Sequence, residues 1–191
     1  LWEIAHPLAF SELIRAGEGT HQVPWFLTFA IMQTESRFEP GVTSWAGARG
    51  LVQLMPGTAK ELARQAGMAE LDSDRLYDPS LNLDLGTRYL GNLVRRFGGE
   101  ESAVPLAIPS YNAGPGAVDR WLAERKGWDF DLFIESIPID ETRAYTQSVL
   151  ERWLSYRWLH GASELTPAQR VPYVPLTIPA RGVTPGPVDH G

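Results

Sequence analysis

The chain has 191 residues, 43% of them hydrophobic and 10% aromatic, enough to bury the core of one ordinary domain and unlike a disordered chain. A net charge of −6 and a pI near 5.2 argue against a nucleic-acid partner, because no basic stripe is available to meet phosphates. The absence of cysteine excludes disulfides and thiolate-bound metals, and four scattered histidines show no HExxH-type spacing, so neither metal nor cofactor is expected.

No apolar run approaches the roughly 20 residues that span a bilayer. The chain opens without an initiator Met or a signal-like segment, so it is expected to be a portion of a longer protein.

The predicted elements are almost all helical. A first helix is expected over His6 to Ala16. A second starts at Pro24, a residue suited to the first helical position, and runs to about Ser36. Prolines and glycines from Pro40 to Gly57 predict a loop. Thr58 with Glu61 forms a capping-box pattern for a third helix that ends at Gly67. Asp78-Pro79 opens a fourth, with apolar residues at helical spacing as far as Gly98-Gly99. Ser102 is the candidate cap of a fifth, which Pro109 is expected to kink or end. A sixth follows Gly114-Pro115-Gly116, a brief one follows Asp129, and the longest runs from Asp140 to His160 with Gly161 as its stop. No strand-period segment stands out. Residues 162–191 hold six of the 15 prolines and read as an extended tail, packed back on a domain formed by 1–161.

One carboxyl group stands apart. Phe29, Ala30, Ile31 and Met32 precede Glu35 by one turn or so, and Glu35 shares the face of Ile31 and Met32. It also sits in the last turn, where the helix dipole presents its negative end. Desolvation and the dipole both disfavour the ionised form and raise the pKa, which suits a general acid. The competing reading is a solvated helix-end Glu paired with Arg37 or Arg49. Two further stretches bear on the choice. "SWAGARGLVQLMP" (44–56) brings two glycines and Gln53, and "SYNAGPGAVDRW" (110–121) places an aromatic and an amide before a Gly-Pro-Gly turn.

Four blocks occur in an ordered series: "ESRF…SWAGARGLVQLMPGTA", "NLDLGTRYL", "SYNAGPGAV" and "FIESIPIDETRAYTQSVL". Over residues 5 to 161 the chain resembles the catalytic domain of the soluble lytic transglycosylases of Slt type. The resemblance implies a mainly α-helical, lysozyme-like domain of goose-lysozyme type that acts on bacterial peptidoglycan strands in the periplasm or cell envelope. In full-length relatives a helical region precedes this domain, and the domain is expected to be monomeric.

The resemblance also assigns roles. Glu35 corresponds to the single catalytic acid and base. Ser44, Gln53, Met55, Tyr111, Asn112, Glu141 and Tyr145 correspond to positions around the substrate. Plainer roles compete with several of these. Gln53 can serve the loop backbone, and Met55 and Tyr145 can be core. Glu141, in a first turn, gains about 0.3–1 kcal/mol from the helix dipole wherever it occurs. The chain departs from the family pattern at Val52, Ser110, the Pro105/Pro109 pair and Trp45; the last either stacks on a sugar or covers its loop.

Most glycosidases use two carboxyl groups. Only Glu39 lies near the Glu35 loop in sequence, without an evident role. One acid suits a route in which the substrate's acetamido group and 6-hydroxyl complete the chemistry and leave a 1,6-anhydro sugar. The rival readings are a hydrolytic lysozyme on the same fold and an inactive glycan-binding module.

Overall fold

The computed structural model describes residues 2–99, 101–125, 127–162 and 165–167. Among them are nine α-helices: α1 (Trp2–Ala5), α2 (Ser11–His21), α3 (Leu27–Glu35), α4 (Pro56–Gln65), α5 (Pro79–Arg96), α6 (Val104–Ala113), α7 (Pro115–Glu124), α8 (Phe130–Glu135) and α9 (Asp140–His160). Short 3-10 turns occupy Ser73–Tyr77 and Glu101–Ala103. Thr43 pairs with Arg49 and Arg49 with Leu54 in isolated β-bridges.

The core explains why α3 exists. Every residue from Leu27 to Met32 is buried, and all but Thr28 are apolar, as suits a central helix. Each large side chain there contributes about 1.5–3 kcal/mol on leaving water. α9 lies against it: the Tyr156 ring stacks on Phe29 with centroids 5.4 Å apart, and Trp153 Nε1 donates to the Trp25 carbonyl at 2.9 Å. α9 also packs on α6 and α8, while α5 packs on α2, α4 and α6. The far end of α9 is anchored by Arg157, fully buried, whose Nη1 and Nη2 donate to Glu101 at 2.7 and 3.0 Å. A smaller apolar cluster, built from Leu106, Val118, Trp121, Leu122, Phe130 and Phe133, joins α6, α7 and α8.

The helical boundaries show where local rules gave way. The first predicted helix is displaced to Ser11–His21, because the chain breaks at Pro7 and Phe10 adopts a left-handed φ of +59°. α2 then runs through Gly17, which is there for proximity: a Cβ at that position would stand 2.6 Å from Thr87 Oγ1 on α5. α3 starts three residues after Pro24, since Phe26 is left-handed with φ +71°. The Thr58/Glu61 capping box does not form. α4 opens two residues earlier at Pro56, and Glu61 instead accepts from Arg64 Nε and Nη2. Ser102 caps nothing, and Ala103 precedes α6, which continues past Pro109 to Ala113. Burial of residues Val104 to Ser110 stabilises that helix against the loss of one hydrogen bond. Asp78 caps α5 by accepting from Leu81 N at 2.8 Å, and α9 spans the predicted residues with Gly161 after it. Apart from residues 162 and 165–167, the proline-rich stretch lies outside the described residues.

Candidate active site

Glu35 is the last residue of α3, where the apolar helix meets the surface. Its carboxyl is partly buried, and the loss of water pushes its pKa up to about 7. Tyr145, one turn into α9, opposes this by donating its hydroxyl to Glu35 Oε1 at 2.7 Å, and the negative charge of Glu141 reinforces it. Glu141 itself is exposed in the first turn of α9. The surface pairing with an arginine is not formed: Arg49 reaches Asp74 at 2.6 Å, and Arg37 is exposed in the left-handed region.

Tyr111, near the end of α6, has its hydroxyl held out of water and also feels the Glu35 charge, so it stays protonated well above the ordinary tyrosine range. That hydroxyl donates to the Val52 carbonyl at 2.7 Å, and the ring packs on Tyr89 of α5 at 5.2 Å. The tyrosine bonded to the acid is therefore Tyr145, while Tyr111 stands beside it and clamps the loop. Asn112 is exposed and tied to α9, its Oδ1 accepting from Thr142 Oγ1 at 2.6 Å.

The loop from Thr43 to Met55 is clamped from beneath. Asn82 of α5 is fully buried; its Oδ1 accepts from Val52 N at 3.0 Å, and its Nδ2 donates to the carbonyls of Arg49 and Leu76 at 3.0 and 2.9 Å. Gly50 makes that contact possible: it has φ +79°, and a Cβ there would lie 2.2 Å from the Leu76 carbonyl oxygen. Gln53, also left-handed at φ +49°, donates Nε2 to the carbonyls of Val42 and Gly50 at 3.1 and 2.7 Å. Its amide donors thus serve the loop backbone. Ser44 Oγ accepts from Ala48 N at 3.0 Å and closes a turn of its own. Met55 precedes α4 with nearly half of its surface in solvent.

The structure thus gathers Glu35, Tyr111, Glu141 and Tyr145 from α3, α6 and α9, and joins them through Val52 to the loop that carries Ser44, Gln53 and Met55. Sequence reasoning passed over Tyr89, although it lies in the "NLDLGTRYL" block, and over Asn82 in the same block. It also passed over Glu18, a second buried carboxyl group on α2, where nothing in the local pattern marks it. Among the described residues no cluster of His, Asp and Glu fits a metal ion, and no helix is long and apolar enough to cross a membrane.

Comparison with known proteins bears on the arrangement. The model of the transglycosylase SLT domain matches residues 12–134. The soluble lytic murein transglycosylase of Escherichia coli strain K12 is 37% identical over 166 residues, which is 84% of this chain and 25% of that protein. The membrane-bound lytic murein transglycosylase C of Edwardsiella ictaluri is 34% identical over 72% of this chain and 40% of its own length. Among solved structures, the 70 kDa soluble lytic transglycosylase of Escherichia coli superposes with a TM-score of 0.78 at 36% identity, covering 84% of this chain and 26% of that one. An inactive mutant of lytic transglycosylase Slt from Pseudomonas aeruginosa gives 0.76 at 38% identity over 82% and 25%. The chain spans about a quarter of the length of the soluble relatives it matches.

Proposed function

The chain belongs to the transglycosylase SLT domain family and has its lysozyme-like fold; from that premise we propose that it cleaves peptidoglycan strands without water. The bond broken is the β-1,4 linkage from N-acetylmuramic acid to N-acetylglucosamine, and the product is a 1,6-anhydromuramic end.

One observation carries the reading. Glu35 stands at the end of α3, half-buried and bonded to Tyr145, with a pKa raised to about 7, so a large share of it is protonated near neutral pH. It protonates the glycosidic oxygen as the C1–O bond breaks. The muramic 2-acetamido group supports the cationic C1, in the manner of substrate-assisted glycosidases. The Glu35 carboxylate then takes the proton of the 6-hydroxyl as its oxygen bonds to C1, which restores the acid and closes the anhydro ring. A hydroxyl carried on the same sugar outcompetes water through its high effective concentration. Tyr145 steadies the carboxylate between the two steps by its 2.7 Å hydrogen bond. Among the described residues the acid whose charge raises the Glu35 pKa is the exposed Glu141, which suits contact with substrate better than attack at C1.

In this reading Ser44, Met55, Tyr111, Asn112 and Glu141 border the sugars, and Gln53 acts by shaping the loop that does so. The whole protein would work as a monomer on the bacterial envelope, with a further helical region before this domain and residues 162–191 as an extension of it. Digestion of purified cell wall followed by mass spectrometry tests the proposal. Muropeptides one water lighter than hydrolysed ends are expected; reducing ends alone overturn it in favour of a lysozyme.

A further inference from the structure

The loop that Tyr111 grips at Val52 carries an exposed aromatic side chain. Trp45 is 97% exposed, the most exposed of the large apolar side chains among the described residues. Its sequence position allowed two roles, and the exposure excludes one of them: a ring that open to solvent covers no loop. Single exposed aromatics are ordinary on protein surfaces, so the ring alone decides nothing. Its backbone setting decides more.

Three hydrogen bonds close the turn on which Trp45 sits. Ser44 N donates to the Ala48 carbonyl at 2.9 Å, Gly47 N to the Ser44 carbonyl at 2.9 Å, and Ala48 N to Ser44 Oγ at 3.0 Å. Below the turn, Gly50 N and Gln53 Nε2 both reach the Val42 carbonyl, and the Thr43 hydroxyl meets Tyr77 Oη at 2.6 Å. Arg49 lies over the Tyr77 ring at 5.5 Å. The same loop is the one Tyr111 grips at Val52. The ring is therefore mounted on a stiff base that is continuous with the acid's surroundings. Ala48, Leu51, Val52 and Leu54 all turn inward, whereas Trp45 and Met55 are the loop's large apolar side chains left in solvent.

We propose that Trp45 is a stacking platform for the C–H face of a sugar ring in the glycan strand, placed beyond the residue pair cleaved at Glu35. This rests on the glycan-cleaving reading above. A pyranose presents an apolar face between its equatorial hydroxyls, and a rigid indole binds such a face with little loss of conformational freedom. Because the platform touches a sugar that does not react, it adds to binding equally in the ground and transition states and leaves the chemical step alone.

Titration calorimetry with a β-1,4 N-acetylglucosamine hexamer tests the proposal, with Glu35→Gln present throughout to stop turnover. Adding Trp45→Ala is expected to raise Kd about five- to thirtyfold, equivalent to roughly 1–2 kcal/mol, and Trp45→Phe to recover most of it. In the active chain acting on soluble uncrosslinked strands, Trp45→Ala is expected to raise KM by a similar factor while kcat and its pH profile hold. A Kd for Trp45→Ala within about twofold of its Glu35→Gln parent, where that parent binds the hexamer and the chain with Glu35 intact releases anhydro ends, overturns the platform alone. Failure of the Glu35→Gln chain to bind the hexamer, together with failure of the chain with Glu35 intact to cleave strands, overturns the functional reading and the platform with it.

Discussion

Two carboxyl groups meet α3, one at each end, and both are pushed well above the usual range by burial: Glu18 to about 8 and Glu35 to about 7. Glu18 comes from α2, is 1% exposed, and accepts from the backbone N–H groups of Phe26 and Thr28 at 3.1 and 2.9 Å. It satisfies donors that the first turn of α3 would otherwise leave orphaned, and it sits at the positive end of the helix dipole. Glu35 accepts from one tyrosine hydroxyl at the negative end and keeps an edge toward solvent. The two shifts are close in size, yet only one group can meet a substrate. Desolvation makes an acid; access and an uncommitted oxygen make it usable.

The strongest way to break that contrast is to change each group to its amide. Glu35→Gln keeps the shape and removes the proton, and is expected to lower kcat about a thousandfold or more while the chain stays folded. Turnover that survives this change would sink the acid assignment. Glu18→Gln is expected to leave kcat within about threefold, since Glu18 is sealed from solvent at the other end of α3. A thousandfold loss at Glu18 would mean that the two ends are coupled through α3.

Truncation reverses the order of importance. Glu18→Ala strips two backbone donors of their acceptor and leaves a hole, at a cost on the order of 2–4 kcal/mol in a urea titration. Glu35→Ala is expected to cost less than about 1 kcal/mol, or to stabilise at high pH. The sign follows from linkage. Carboxyls in the unfolded chain ionise near 4.5, whereas these ionise near 7 and 8 when folded. Between those values the folded state holds more protons, so stability falls as pH rises and the full cost is present above about pH 8. Glu18→Gln with Glu35→Gln together should flatten this decline; a slope unchanged from the parent would show that other groups cause it.

The same contrast separates what was legible in the sequence from what was not. α9 is a long run bounded by Asp140 and Gly161, and α5 has a capping Asp with a following Pro, so local chemistry alone delimits both. Glu35 stood out because its own helix supplies its apolar neighbours. Glu18 did not, since the groups that make it matter, Phe26 and Thr28, come from the next helix and present only backbone. The Tyr145 hydrogen bond crosses 110 residues, and the Tyr111 contact with Val52 crosses 59; no spacing rule reaches so far, and family likeness rather than periodicity pointed to those tyrosines. The unbroken α6 records tertiary packing overriding a proline, whereas the displaced start of α2 follows the break at Pro7 and the left-handed Phe10.

The subtlest expectation concerns the two residues of α9 that act on Glu35 in opposite directions. Tyr145 favours the carboxylate by hydrogen bonding, so Tyr145→Phe should raise the Glu35 pKa; Glu141 opposes the carboxylate by charge, so Glu141→Gln should lower it. As the general acid must be protonated, kcat/KM is expected to fall with rising pH along a limb near pH 7. Tyr145→Phe should move this limb to higher pH and cut the plateau about tenfold, because the carboxylate formed midway loses its donor. Glu141→Gln should move it to lower pH by a fraction of a unit, since an exposed charge is screened by water and salt. Opposed shifts from two positions one helical turn apart would establish that the limb belongs to Glu35. Shifts in the same direction would assign it to another group, and no movement in Glu18→Gln is the matching control from the sealed end of the helix.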